Sequence, residues 1–237
     1  MVDTNKMWHV VGHEAAVILL SRSLDEGKLS HAYIFVGPRR VGKTVLAINL
    51  AQAVNCQATG NARPCKECSQ CQRIAQMRHP DVQIIDRYPN TNHSGSRNEI
   101  GIDQVREVQR AAMLRPYEGK SRVFIFQEAH AMTPEASNAL LKLLEEPPDS
   151  VLLVLLTSNS ASILPTILSR CQHISLNPLP MDTIADELHR VSDIPSMEAV
   201  ELAKLSSGSI GWALEAAQNP EIVSQFGEEL ERFATLI

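Results

Sequence analysis

This sequence of 237 residues has few aromatic residues. It also lacks long apolar runs and an excess of positive charge. Phe, Trp and Tyr make up 4% of it, which argues against a platform of aromatic side chains that stacks nucleic-acid bases. The 22 Lys and Arg are outnumbered by 27 Asp and Glu, so the net charge of −5 leaves room only for a local basic patch. No apolar run exceeds six residues, the length of 151–156, and the first residues lack the pattern of a secretory signal. We therefore expect a cytoplasmic protein with no membrane partner.

Cysteine is sparse as well, and its distribution is uneven. Four of the five cysteines are Cys56, Cys65, Cys68 and Cys71. In a cytoplasmic chain, such clustering indicates metal binding rather than disulfides. Because four thiolates complete the tetrahedral shell of Zn²⁺, the predicted ion is structural, and the alternative is a reduced cluster without metal. Cys171 is predicted to be a small buried apolar residue. His79 and His93 are predicted to be surface residues without a metal role.

The rest of the composition, 44% hydrophobic and 21% charged residues, is that of an ordinary globular protein. Up to about residue 176, short apolar segments alternate with helical patterns, which predicts an α/β fold with a mainly parallel sheet. Beyond residue 177 only helices are predicted, so we expect an α/β domain over 1–176 and a small all-helical domain over 177–237. The predicted strands are 33–36, 82–86, 123–126 and 151–156. The predicted helices are 13–24, 43–54, 102–113, 133–145, 163–169, 183–191, 197–205, 210–217 and 221–236.

A phosphate-binding motif lies between the first predicted strand and the helix that follows it. Residues 37–44, Gly-Pro-Arg-Arg-Val-Gly-Lys-Thr, match the pattern G-x-x-x-x-G-K-[ST]. Gly37 and Gly42 would shape a loop whose backbone N–H groups, at the positive end of the helix, face a phosphate. Lys43 would pair with the β and γ phosphates, and the hydroxyl of Thr44 would hold Mg²⁺. The alternative is a glycine-bearing turn with a chance lysine.

A second acidic position is needed to order Mg²⁺ and the attacking water in a P-loop protein. The candidate is Gln127-Glu128, at the end of the predicted strand 123–126. An amide carries no charge, so Gln127 is expected to hold a divalent cation less well than a carboxylate. Glu128 remains available to polarise water, and the alternative for it is a solvated carboxylate at the end of a strand.

An arginine stands at the end of a short predicted helix, in the sequence Ser169-Arg170-Cys171. Because it is remote from the P-loop of its own chain, Arg170 could act as a finger that completes the phosphate site of a neighbouring subunit. Composition alone favours a structural ion pair, since most arginines are surface residues.

The order of these motifs resembles the AAA+ subunits of the bacterial DNA polymerase III clamp loader. The similarity extends over about residues 8–220. It is carried by the P-loop, the four-cysteine insertion, Asn-Ala-Leu-Leu-Lys-Leu-Leu-Glu-Glu-Pro-Pro at 138–148 and Ser-Arg-Cys at 169–171. Within this family, three further segments are similar to the delta-prime subunit: 79–82, 102–107 and 115–119. The gamma/tau motor subunits share the cysteine module and Ser-Arg-Cys, which makes them the nearest alternative.

The resemblance implies an AAA+ P-loop domain with an inserted zinc module at about 56–71, followed by a helical lid domain. Structural Zn²⁺, and ATP with Mg²⁺, are the implied cofactors. The implied assembly is a hetero-pentameric ring with gamma/tau and delta subunits, which opens the sliding clamp and places it on primed DNA. Arg170 is implied to reach the ATP site of the adjacent subunit, which reverses the interpretation from composition. One of Thr157, Ser158 and Asn159 is implied to sense the γ phosphate.

Three departures from the family pattern bear on activity. Gln127 replaces the strand-end aspartate of active relatives, and residues 208–212, Gly-Ser-Ile-Gly-Trp, lack the arginine that the lid usually offers to the nucleotide. Both changes remove charge where phosphoryl transfer builds it, so ATP is expected to bind with little or no turnover. Relatives also continue into a helical collar domain, which is absent from this sequence because it stops at Ile237. The alternatives are a fragment of a longer protein and an unusually short version of the family.

The leading interpretation is therefore a delta-prime-like clamp-loader subunit that binds partners and offers Arg170, with weak or no ATP hydrolysis of its own. The second is an ATP-hydrolysing motor subunit of the same complex. A third class, a P-loop phosphotransferase that acts on a small molecule, leaves the cysteine module and Ser-Arg-Cys unexplained.

Overall fold

The computed structural model describes residues 7–58, 63–87, 99–192, 194–219 and 221–223. The chain divides into two compact units. The first combines the residues up to Gly37 with Lys43–Leu176, and the second combines Pro38–Gly42 with the residues from Asn177 onward.

The first unit is built around a parallel sheet of five strands. Their order across the sheet is β2-β3-β4-β1-β5, and every neighbouring pair is parallel. The strands are β1 (Ala32–Val36), β2 (Val82–Ile85), β3 (Arg122–Phe126), β4 (Val151–Thr157) and β5 (Gln172–Ser175). All seven residues of the central strand β4 are buried, as expected when helices cover both faces of a parallel sheet.

In the described part of the chain, the helices that accompany this sheet begin with residue 14. They are α1 (Glu14–Asp25), α2 (Lys43–Asn55), α3 (Ser69–Ala75), α4 (Ile102–Ala112), α5 (Pro134–Glu145) and α6 (Pro165–Leu168). Short 3-10 turns lie at Ala129–Ala131 and Ser160–Ser162. Helix α5 begins as its sequence predicts, because the Thr133 hydroxyl accepts a hydrogen bond from Ala136 N and proline occupies the first helical position. Helix α2 is buried on nearly every side.

The second unit is helical in its described part. Its helices are α7 (Met181–Ser192), α8 (Ser196–Leu205) and α9 (Ile210–Gln218), which pack on one another. Only residues 221–223 of the predicted helix 221–236 are described, and they are helical. The parallel α/β fold followed by helices confirms the predicted fold class. Among the described residues, no helix is long and apolar enough to cross a membrane.

Candidate functional site

The P-loop starts where β1 ends, beside the end of β4. Gly37 N donates a hydrogen bond to the carbonyl oxygen of Thr157, at 3.1 Å. A Cβ atom at residue 37 would lie 2.2 Å from the carbonyl oxygen of Leu176, a separation that no side chain tolerates. The first glycine of the motif is therefore required by close packing of the loop backbone, as well as by phosphate access.

The second half of the motif opens α2. Gly42 has a φ of +114°, which favours glycine, and α2 begins at Lys43. The Lys43 side chain is buried, and its Nζ donates to the carbonyl oxygen of Gly37 at 2.7 Å, so the ammonium lies across the loop. Thr44 follows, half-buried, in the first turn of the helix. A buried strand, a glycine loop and a helix N-terminus thus occur in the order that phosphate binding needs.

Loop residues 38–42 form part of the second unit and are held there by α9. Gly211 N donates to the carbonyl oxygen of Arg40 at 2.8 Å, and the Arg40 guanidinium pairs with Glu215 at 2.5 Å. Arg40 is therefore engaged by its own chain. The first turn of α9 thus contacts the loop through its backbone.

Gln127 and Glu128 lie at the carboxyl end of β3, which is the neighbour of β4 in the sheet. Gln127 N donates to the carbonyl oxygen of Ile85 at 2.9 Å, and its side chain is half-buried. Glu128 Oε2 forms an ion pair with Arg87 Nε, and both side chains are largely covered. Arg87, which follows β2, offsets the charge of the carboxylate that was predicted to polarise water.

The three residues predicted to include the γ-phosphate sensor lie in different environments. Thr157 is buried, and its hydroxyl accepts from Asn159 N at 3.0 Å and lies 3.2 Å from His130 Nδ1. The Asn159 side chain is used within its own turn, where it accepts from Ala161 N and donates to Ser162 Oγ. Ser158 is exposed. The Thr157 hydroxyl also donates to the carbonyl oxygen of Asn159 at 3.0 Å.

Arg170 follows α6 and makes an ion pair within its own chain. Its Nη2 lies 2.9 Å from Glu145 Oε1, and its Nη1 donates to the carbonyl oxygen of Thr166 at 2.9 Å. The two charged side chains are 36% and 49% exposed. The ion pair that composition favours is therefore present, and it is partly exposed to solvent.

The four clustered cysteines lie together, with every pair of sulfur atoms within 4.8 Å. Backbone N–H groups point at three of the sulfurs: Cys65 N at Cys56 Sγ, Cys68 N at Cys65 Sγ, and Cys71 N at Cys68 Sγ, at 3.4 to 3.5 Å. A tetrahedral ion with Zn–S bonds of about 2.3 Å needs sulfurs roughly 3.8 Å apart, so small adjustments suffice. The donor set fits a closed, structural zinc site.

One thiol of the cluster, that of Cys68, has a lowered pKa. Burial would raise the pKa of Cys68, but hydrogen bonds from the backbone N–H groups of Gln57 and Cys71 outweigh it and lower the pKa to about 6. Burial raises the pKa of Cys71 and of Cys56. A bound cation would stabilise the thiolate forms of its cysteine ligands. Cys171, far from the cluster, is buried, and burial raises its pKa to about 12.

His79 was predicted to lie at the surface, and that prediction is wrong. The ring is buried, its Nε2 bonds to the side-chain oxygen of Gln70 in the cysteine module, and its Nδ1 accepts from Asp81 N at 3.1 Å. Burial lowers the pKa of His79, so the neutral ring is favoured. The turn that begins β2 buries the imidazole because both nitrogens find partners there. His93 lies outside the described residues.

A buried carboxylate and a buried amide hold the turn that precedes β3. Asp81 accepts hydrogen bonds from the backbone N–H groups of Tyr117, Glu118 and Gly119, at 2.7 to 2.9 Å. Asn55, at the end of α2, accepts from Lys120 N and Ser121 N, at 2.8 and 2.9 Å. The segment 117–121 is therefore fastened both to β2 and to the helix that begins at the P-loop.

Comparisons with a family model and with curated proteins both find similarity to subunits of DNA polymerase III. A family model described as "DNA polymerase III, delta subunit" matches residues 12–180. The DNA polymerase III subunit gamma/tau of Mycobacterium tuberculosis is 36% identical over 184 residues, which cover 78% of this chain and 31% of that protein. The DNA polymerase III subunit tau of Escherichia coli is 37% identical over 182 residues, 77% of this chain and 27% of that protein. The chain thus matches about a third of the length of these curated relatives, or less.

Solved structures share the fold at low sequence identity. The RuvB Holliday junction branch migration motor of Thermotoga maritima aligns with a TM-score of 0.59 and 16% identity, covering 93% of this chain and 70% of that one. At this identity the similarity shows the fold alone.

Proposed function

The chain belongs to the DNA polymerase III delta-subunit family, and from this premise we propose that it is a delta-prime-like clamp-loader subunit. Its role is to help load the sliding clamp onto primed DNA, in a ring with gamma/tau and delta subunits. It binds ATP with Mg²⁺ but hydrolyses little of it. The observation that carries the proposal is the end of β3, where Gln127 replaces a carboxylate and Glu128 is paired with Arg87.

Nucleotide binding is assigned to the P-loop. The N–H groups at the start of α2 and the Lys43 ammonium would hold the phosphates, and Thr44 would hold Mg²⁺. The γ-phosphate sensor is assigned to the segment of Thr157, Ser158 and Asn159, because this strand end contacts the P-loop through the hydrogen bond from Gly37 N to the carbonyl oxygen of Thr157.

Slow hydrolysis follows from the charges at the strand ends. A carboxylate ligand strengthens Mg²⁺ binding, and Gln127 supplies only a neutral oxygen. A general base must be free to accept a proton, but the carboxylate of Glu128 is held in an ion pair by the guanidinium of Arg87. With no arginine in residues 208–212, the lid adds no positive charge from that segment to the transferring phosphoryl group.

Restoring the missing carboxylate should strengthen nucleotide binding. In Gln127→Asp, the Mg²⁺-dependent affinity for ATP is expected to rise on the order of tenfold, because an ionised ligand replaces a neutral one. Titration of a fluorescent ATP analogue at several Mg²⁺ concentrations measures this. Gln127→Asn, which shortens the side chain without adding charge, is the matched control and should show no gain. Equal affinities for the aspartate and asparagine variants would remove Gln127 from the metal site.

The motor subunit is the second candidate function. It is favoured by the complete P-loop and by the gamma/tau relatives at 36% and 37% identity. A steady-state ATPase assay of the full chain separates the two candidates, because the delta-prime-like role predicts slow turnover and the motor role predicts brisk turnover. Pull-down with gamma/tau, delta and the sliding clamp tests the assembly that both candidates require.

The cysteine cluster is proposed to hold one structural zinc ion. Elemental analysis of the protein purified under reducing conditions should find about one Zn per chain, as one tetrahedral shell of four thiolates requires. Cys68→Ser should release the metal and raise hydrogen exchange over residues 63–75. Cys171→Ala, which removes the remote thiol, should retain the zinc. A wild-type chain without zinc under these conditions would contradict the assignment.

A further inference from the structure

Lys66 lies inside the cysteine loop, between Cys65 and Cys68, and its side chain is directed at α2. Its backbone is left-handed, with a φ of +64°, which is unusual for a residue with a side chain. The Nζ atom donates to Gln52 Oε1 at 2.5 Å and also bonds to Asn49 Oδ1. The ammonium is thus drawn away from water to two amide oxygens on one face of the P-loop helix.

The two amides are built into the helix so that their oxygens face the ammonium. Asn49 and Gln52 are 3% and 2% exposed. The Asn49 amide nitrogen donates to the carbonyl oxygen of Val45, and the Gln52 amide nitrogen donates to the carbonyl oxygen of Cys71, both at 2.7 Å. With each nitrogen satisfied by a carbonyl group, each oxygen is left to accept from Lys66.

The positive charge of Lys66 has no carboxylate partner among the described residues, although it is partly buried. The thiolates of the cluster are the anions beside it, because Cys65 precedes Lys66 in the chain and Cys68 follows two residues later. A partly buried cation is costly unless an anion compensates it. Four thiolates around one Zn²⁺ carry a net charge of −2, which is costly to bury for the same reason.

We propose that Lys66 is the positioning residue of the metal centre. Its ammonium offsets one of the two net negative charges of a four-thiolate zinc site, and its bonds to Asn49 and Gln52 fasten the cysteine loop to the helix that begins at Lys43. The proposal rests on the proposed zinc site. Lys66 does not ligate the ion; it acts on the thiolates through charge and through the placement of the loop.

Zinc affinity of the full chain tests the proposal. In competition with a chromophoric chelator, Lys66→Met should bind zinc 10- to 100-fold more weakly than the wild type, the scale on which residues supporting metal ligands act. Lys66→Arg keeps the charge and should lose clearly less. Lys204→Met removes an exposed lysine in the second unit and should match the wild type. If Lys66→Met does not fold, Lys66→Gln replaces it, with the same expected loss.

Cobalt substitution supplies a readout that separates positioning from ligation. The wild type and Lys66→Met should show the same absorption spectrum of a tetrathiolate Co²⁺ site, because the four ligands are unchanged. Zinc affinity in Lys66→Met equal to that of the wild type would overturn the proposal, as would equal losses in the methionine and arginine variants. If the wild-type chain binds no zinc, the proposed metal site is wrong, and this outcome is distinct from a failure of the role proposed for Lys66.

Discussion

Replacing Arg170 with alanine is expected to lower ATP hydrolysis at the adjacent subunit's site on the order of 10³-fold, the effect of arginine fingers in GTPases. The ring as a whole would lose less, because only one of its sites is affected. The stability of this chain should change by about 1 kcal/mol or less, because an exposed ion pair contributes at most about that amount. The pair between Arg170 and Glu145 is such a pair. ATPase of the assembled loader, and thermal unfolding of the isolated chain, measure the two effects.

Two further variants separate the finger from the ion pair. Glu145→Gln removes the partner within the chain and leaves Arg170, so it should spare the assembled ATPase. Arg170→Lys should fail almost as badly as the alanine variant, because one ammonium cannot replace the planar fork of the guanidinium on phosphate oxygens. If Arg170→Ala instead lowered the Tm of the isolated chain by several degrees and left the assembled ATPase unchanged, the ion pair would be the function of Arg170.

The sheet was predictable from sequence wherever a strand is buried on both faces. Strands β1, β3 and β4 each contain a continuous apolar run, and they lie within one residue of the predicted positions at either end. Strand β5 was missed because only Ile174 of Gln-His-Ile-Ser is buried in this edge strand. Helix α3 was missed because its start is set by Cys68, whose sulfur accepts from Cys71 N, and no apolar periodicity marks it.

Pairs of residues far apart in the sequence account for what the motifs did not reveal. Glu128 was singled out, but its partner Arg87 lies 41 positions earlier and belongs to no motif. Lys66 was overlooked inside the cysteine spacing, because a lysine is ordinarily a surface residue. The prediction that His79 lies at the surface is wrong because no motif identifies the residues that bind its imidazole. A buried polar group needs partners from other elements, and single-sequence patterns do not encode which elements meet.

The carboxylate of Asp81 shows what such buried partners contribute. Its side chain is fully covered, its Oδ1 accepts from Tyr117 N, and its Oδ2 accepts from Glu118 N and Gly119 N. Burial alone would raise the pKa of Asp81, but these N–H groups, together with Arg122 at 3.7 Å, lower it below the ordinary value of 3.8. The ionised form is therefore preferred more strongly in the folded chain than in the unfolded one.

Replacing Asp81 with asparagine is expected to lower the free energy of unfolding at pH 7 by about 3 kcal/mol, because one partner of a buried charged network is removed. The asparagine amide cannot reproduce the carboxylate, since its NH₂ group would face a backbone donor. The sign of the pH dependence follows from the depressed pKa. The stability that Asp81 supplies is complete above its unfolded pKa and is lost as the pH falls through the folded pKa. Urea unfolding between pH 7 and pH 3 should therefore show the two curves converging below about pH 4.

Two comparisons make this measurement specific to Asp81. Acid also releases a bound zinc ion, but it does so in both proteins, so the difference between their curves isolates the carboxylate. Asp149→Asn changes an exposed aspartate of the same unit and should stay within about 0.5 kcal/mol of the wild type at every pH. A constant gap between Asp81→Asn and the wild type down to pH 3 would show that the N–H groups of segment 117–121 do not select the ionised form. Convergence would show that the turn before β3 is held by the charge of Asp81.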